Sequence, residues 1–362
     1  MSRKGMASPL NAEVNPQLVT LARQARGLTQ VELAKLAGTG QATISKIEAG
    51  LVSVSEVDLQ KIAKAVDFPP HFFTGQTRVE GPALAEYIHR KRAKASALAL
   101  HRLHALATIR AMQVKVLIQS WENESLFPSY SIEDFEANPQ RIAQTVRAIW
   151  RVPPGPVFNV TELVEEAGAI VISLDFGTRH IDGFSRWPND GPPLIFINEQ
   201  LPPDRWRWTL THEVAHIVMH SHCDPYVEME KDADLFAGEF LMPANEIGPQ
   251  LTQITIDRLA NLKRYWKVAM QAIIMRAGHL GRITANQKRY LFMQLSKAGY
   301  RLREPAVLDP PEERPSLLRR MVNHHRRNLA YSIADLCKVL AISESDLRSW
   351  FMPDEPNLRV LN

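Results

Sequence analysis

Apolar residues at Leu18, Leu21 and Ala22 recur at helical spacing and stop at Gly27, which predicts a first amphipathic helix ahead of that glycine. Thr29 stands three residues before Glu32, the spacing of a capping box, so a second helix is expected through Ala37. Gly38 permits a tight turn. A third helix follows from Gln41 to Ala49, with Ile44 and Ile47 toward the core, and after Gly50 a fourth runs from Val54 to Val66. From Pro82 to Trp121 the chain meets no further glycine or proline and is rich in Ala, Leu, Lys and Arg, the pattern of one long helix or a helical pair. The runs 169–174 and 193–198 are short and apolar, as strands are. Apolar positions at 229, 233, 236, 237, 240 and 241 return to helical period, and Pro243 stops them. The expected fold is α+β and mostly α. It comprises a five-helix N-terminal domain over 13–75, a helical linker or dimerisation region over 82–127, an α+β domain with a small sheet over 130–300, and a C-terminal helical region over 310–362.

The 362 residues are enough for two or three domains with their own cores. No apolar run approaches the ~20 residues of a membrane span. The opening MSRKGMASPLNAEVNPQ has basic residues without an apolar stretch behind them, unlike a signal peptide. A cytoplasmic protein without membrane association is expected, and two cysteines, Cys223 and Cys337, make no disulfide framework. Charge changes the picture more. Residues 1–125 carry 16 Lys/Arg against 10 Asp/Glu, whereas the remainder carries 27 against 29. A basic front on a near-neutral body points to a polyanion partner for that front.

With Ile44 and Ile47 buried, Gln41, Ala42, Thr43, Ser45 and Lys46 occupy the outer face of the third helix at its N-terminal end, where a helix-turn-helix presents side chains to the major groove. Gln pairs bidentately with adenine, and Ser and Thr contact bases or phosphates. Leu28-Thr29-Gln30, Glu32-Leu33-Ala34, Gly38 and Ile44 through Gly50 resemble the Xre/Cro-type helix-turn-helix family over about 55 residues. The resemblance implies that Gln30 and Gln41 lie near DNA backbone or bases, that Glu48 is structural, and that a homodimer binds a palindromic double-stranded operator.

The second chemical signal is His212-Glu213-Val214-Ala215-His216. On a helix, residues four apart share one face, so both imidazoles can hold one Zn2+ while Glu213 stands ready as general base. A catalytic zinc needs a third protein ligand. Glu230 is the first choice, with Asp232 and Glu228 behind it. Asp234, four residues beyond Glu230, suits a carboxylate that fixes the tautomer of a ligand histidine. For the donor that would stabilise an oxyanion, His180, Arg186, His220, His222 and Tyr226 all remain open, and Cys223 lies close in sequence.

These residues, with Gly183-Phe184-Ser185, Pro193 to Asn198, Glu199, Arg205 and the stretch Ala233 to Pro243, resemble the ImmA/IrrE family of metallopeptidase-like domains over roughly 140–300. Trp266 to Ile273 resembles a following helix of that family, with Ala269 where serine is frequent. The resemblance implies a zincin-like, gluzincin-type endopeptidase fold with His212, His216 and Glu230 on the metal and Glu213 as base. It also implies, for some members, cleavage of a repressor protein. Tyr331 to Arg348 resembles a second helix-turn-helix. Acidic Glu344 and Asp346 on its second helix would repel phosphates, so these helices are expected to close the peptidase-like domain instead. The functional expectation is a DNA-binding regulator that cleaves a repressor, a toxin or antitoxin partner, or itself. Its alternative is a non-catalytic or antitoxin-like regulator whose zincin-like domain is a metal or ligand sensor or a dimer module.

Overall fold

A computed structural model describes residues 13–75, 95–121, 125–221, 223 and 227–352. The chain forms two compact units: one holds the N-terminal domain, the stretch ending at Trp121 and everything from Arg319 onward, and the other holds Glu122–Leu318.

In the first unit, α1 (Pro16–Ala25) begins on an Asn15 cap, α2 (Gln30–Ala37) carries the Thr29/Glu32 capping box, and α3 (Gln41–Glu48) follows the turn at Gly38. Gly38 has φ 63°, a left-handed conformation that glycine adopts without a Cβ penalty. Helix α4 (Glu56–Val66) starts on Ser55, two residues later than the pattern suggested, because the Ser55 side chain takes the Asp58 N–H. The expected fifth helix is a 3-10 turn at Pro70–Thr74. Ile44 and Ile47 are buried, and Arg23 and Glu48 form a two-pronged ion pair at 2.6 and 2.9 Å beneath them. Glu48 is thus a structural residue.

Helix α5 (Ala97–Leu117) covers part of the long helical pattern, and residues 82–94 of that pattern lie outside the described residues. It is no solvent-spanning spacer: Leu103, Leu106, Ile109, Val114 and Leu117 are all buried within the unit.

The C-terminal helices differ from the expectation. α15 (Ile333–Val339) and α16 (Glu344–Phe351) belong to the first unit and do not close the metallopeptidase-like one. Asp346 is the counter-ion of Arg26, with contacts of 2.6 and 3.2 Å. Ser343 and Ser345 donate to Asp67, and a His71 ring nitrogen meets the Lys338 carbonyl at 2.9 Å. Of the two acidic positions that argued against phosphate contact, Asp346 therefore serves packing against the end of α1, and Glu344 pairs with Arg348 on its own helix. Arg110 lies buried over the Trp350 ring at 3.5 Å. Burial pushes its guanidinium down to about 9, while nearby Asp346 opposes that shift.

The second unit is built on a three-stranded sheet, β1 (Ile170–Leu174), β2 (Gly183–Arg186) and β3 (Leu194–Asn198), in the order β1-β3-β2. β1 runs parallel and β2 antiparallel to β3. The strand at 183–186 was not foreseen as one. Its helices are α6 (Pro139–Ile149), α7 (Val160–Glu166), α8 (Pro203–His220), α9 (Met229–Leu241), α10 (Ala244–Ile247), α11 (Ile256–Trp266), α12 (Met270–His279) and α13 (Ala285–Lys297); α8 packs on β2 and β3, and α7 on β1. The chain then enters α14 (Leu317–Arg327), along which it returns to the first unit. Helix α8 is buried along almost its whole length. The stretch Trp266 to Ile273 is not one helix: Trp266 ends α11, residues 267–269 form a link, and Met270 opens α12. Ala269 offers no cap, and the Glu304 carboxylate takes the Met270 and Gln271 N–H groups instead, at 3.1 and 3.4 Å. No helix among the described residues is long and apolar enough to cross a membrane.

Candidate metal centre and nucleic-acid interface

Because His212 and His216 are one turn apart on α8, their Nε2 atoms converge to 3.0 Å. α9 brings Glu230 to the same point, with Oε1 3.4 Å from His216 Nε2 and Oε2 3.7 Å from His212 Nε2. One ligand atom from each of the three lies within 4.8 Å of the others, and among the described residues this is the one His/Cys/Asp/Glu cluster of that kind. Of the fallback carboxylates, Asp232 is buried on α9 and Glu228 is bound to Lys231 at the surface.

The opposite ring nitrogens are also engaged. Asp234 Oδ1 lies 3.0 Å from His212 Nδ1, and His220 Nδ1 lies 2.9 Å from His216 Nδ1. This is the outer support that orients metal-binding imidazoles and sets their tautomer. Burial opposes charge on His212, but Asp234 and Glu230 outweigh it and lift its pKa to about 9. Burial, reinforced by His216 and His212, pushes His220 down to about 3, so it stays neutral. Hydrogen bonds from His212 and His216 hold the Glu230 carboxyl well below its usual range. Two imidazoles and a carboxylate, each histidine braced from behind, fit a zinc ion with an open fourth position.

Glu213 is buried on α8 next to His212, and Ser185 Oγ donates to its Oε2 at 2.8 Å. Sequence reasoning missed this contact, which comes from the edge strand β2. Gly183 makes the close approach of β2 to α8 and β3 possible. A Cβ there would meet Thr209 Cγ2 at 2.8 Å, Ile197 Cδ1 at 3.0 Å and the Phe196 carbonyl oxygen at 3.1 Å. His220, weighed as an oxyanion donor, is instead the partner of His216; its i, i+4 spacing from that residue was the available signal. His180 is exposed, Arg186 ends β2, and His222 and Tyr226 lie outside the described residues. The exposed Cys223 thiol turns back to the Met219 and His220 carbonyls.

On α3, Gln41, Ala42, Thr43 and Lys46 are exposed and Ser45 is half-buried. Gln41 Nε2 donates to Gln30 Oε1 at 2.9 Å, and Gln30 Nε2 donates to Glu48 at 2.9 Å. The Arg23–Glu48 pair thereby braces two glutamines at the head of the third helix. Such a chain holds polar side chains in place without spending their entropy on docking.

Residues 20–73 match the family model described as helix-turn-helix, and residues 164–277 match the one described as IrrE N-terminal-like domain, a metallopeptidase family. Neither the curated proteins nor the solved structures contain a match to this chain. The matched segments contain the exposed face of α3 and the His212/His216/Glu230 cluster, respectively. The chain is a fusion of an Xre-type helix-turn-helix domain with an ImmA/IrrE-family domain.

Proposed function

We propose that this DNA-binding regulator is a zinc-dependent endopeptidase that cleaves a protein partner (a repressor, or a toxin or antitoxin) or its own chain to change operator occupancy. The observation that carries this reading is the convergence of His212, His216 and Glu230 beside a buried Glu213 held by Ser185. His212, His216 and Glu230 would hold the metal, with Asp234 and His220 fixing the two rings. A zinc ion supplies Lewis acidity there, polarising a peptide carbonyl and acidifying water. Glu213 takes the proton from the attacking water and returns it to the leaving amine, while Ser185 keeps its carboxylate aimed. β2 is an edge strand of the sheet, and an extended peptide can add to such an edge by main-chain hydrogen bonds, close to Glu213.

For the DNA domain the reading assigns Gln41, Ala42, Thr43, Ser45 and Lys46 to the major groove and Gln30 to its margin, in a cytoplasmic homodimer. Gln41→Ala is expected to lose about 1–3 kcal/mol of discrimination at one base pair. Lys46→Ala should weaken binding evenly across sequences and lower the salt slope by about one. Gel shifts over a salt series on the selected operator check both, and unchanged affinity in both variants removes α3 as the reader.

The test of the whole reading is metal content and cleavage together. Wild type purified with zinc is expected to hold one equivalent and to cut the partner or itself. His212→Ala should lose both, with operator binding retained. Zinc without cleavage of any neighbouring-gene product or of the chain itself favours the second reading, a metal or ligand sensor without turnover. That reading draws on Asp234, which faces an adjoining cleft while touching His212.

A further inference from the structure

A cleft of about 530 Å³ opens in the second unit between the start of α8, α9, α12, α13 and the 301–304 segment. Its size is that of a small-molecule site. Trp208 and Phe292 give it aromatic walls, and the Arg301 guanidinium lies over the Phe292 ring at 5.1 Å. The other arginines of the wall are already neutralised. Arg205 pairs with Asp182, Arg303 with Asp309, and Arg276 with Glu239. Among the described residues no carboxylate pairs with Arg301. Arg276 is buried, and its Nη1 has no hydrogen-bond partner among the described residues.

Gly238 lines the same cleft from the middle of α9. Glycine in a helix interior costs about 1 kcal/mol against alanine. An added Cβ would meet its nearest neighbours, Arg276 Cδ and Trp208, at ordinary contact distances of 3.6 and 3.8 Å, so packing does not demand glycine there. Its absence of side chain keeps the cleft open beside the Arg276 guanidinium. Asp234 stands in the wall as well, and its carboxylate contacts the Nδ1 of His212.

We propose that this cleft binds a small planar carboxylate, its charge on Arg301 and its flat body between Trp208 and Phe292, and that the ligand communicates with the metal site through Asp234. A guanidinium fork matches a carboxylate bidentately, and the aromatic walls suit an unsaturated ring. Only the link through Asp234 rests on the zinc reading. Binding of the carboxylate does not.

Titration calorimetry on the full chain with benzoate, phenylacetate and 2-naphthoate tests it, with 2-naphthamide as the uncharged control. Saturable heat is expected with at least one acid. Binding should be at least tenfold weaker (about 1.4 kcal/mol) for 2-naphthamide and for Arg301→Ala. Ala272→Phe, which fills the cleft from α12, should abolish it. Arg301 is exposed, so its removal leaves the fold intact. No saturable heat with any acid, or binding indifferent to both variants, overturns the proposal. The same titration is then run on zinc-loaded and chelator-treated protein. A several-fold difference in Kd supports the link, and equal values overturn it, since coupling between two sites must be reciprocal. Cleavage is not read in either arm, so an inactive peptidase leaves the result standing.

Discussion

Glu213→Gln is expected to keep the wild-type zinc content and to lower the cleavage rate by about 10²–10⁴-fold, the contribution of a positioned general base. At 1.36 kcal/mol per factor of ten this is roughly 3–5 kcal/mol of lost transition-state stabilisation. The variant isolates the proton transfer because Glu213 is not among the converging donors; those are His212, His216 and Glu230. The amide has nearly the shape of the carboxylate, and its carbonyl oxygen can still accept from Ser185 Oγ, so the side chain keeps its place without its basicity. Ser185→Ala is the companion. It removes the hydrogen bond and leaves the base, so its loss in rate should be smaller and its zinc content normal. Metal analysis beside single-turnover cleavage reads all three proteins. Undiminished cleavage by Glu213→Gln would place the base elsewhere, and loss of zinc would make Glu213 part of the metal-binding set.

What the sequence disclosed and what it hid divide by distance along the chain. The Thr29/Glu32 capping box and the left-handed Gly38 are decided within three or four residues, so their signals survive in the sequence. His212, Glu213 and His216 are likewise one helical turn, and Glu230 and Asp234 are another. Ser185 could not be placed this way. The four residues Gly183–Arg186 show no alternation long enough to mark a strand, and it is pairing with β3, Ser185 opposite Ile195, that sets that strand's register. The C-terminal helices were misassigned for a related reason. Asp346 looked like a charge facing phosphates, and its partner Arg26 lies 320 residues away. Glu304 doing the capping that Ala269 cannot is the same kind of event, a local deficiency met by a remote side chain.

Glu313→Ala is expected to destabilise the second unit by about 3–5 kcal/mol, the range for breaking a buried ion pair by removing one partner. Arg207 is fully buried on α8, five residues ahead of His212, and Glu313 is its ion-pair partner. The same carboxylate accepts the Val160 and Thr161 N–H groups at 2.9 and 3.0 Å, at the start of α7, and the Thr161 hydroxyl at 3.2 Å. Burial drives the Arg207 guanidinium pKa down, and Glu313 is what opposes that. Alanine therefore leaves a cation without a counter-charge and two N–H groups without that acceptor, in a place water does not reach. Urea unfolding of the metal-free protein, followed by tryptophan fluorescence, measures the loss. Glu313→Gln, which can still accept from α7, should lose less. Replacing both partners, Arg207→Met with Glu313→Leu, should recover much of the stability, because no charge is then left buried. If the double variant is as unstable as Glu313→Ala, packing at α7 and not charge carries the contact. Since α8 presents His212 and His216, which the proposed function places on zinc, Glu313→Ala should also bind zinc more weakly while His212, His216 and Glu230 all remain, which would show that the site depends on how firmly its helix is held.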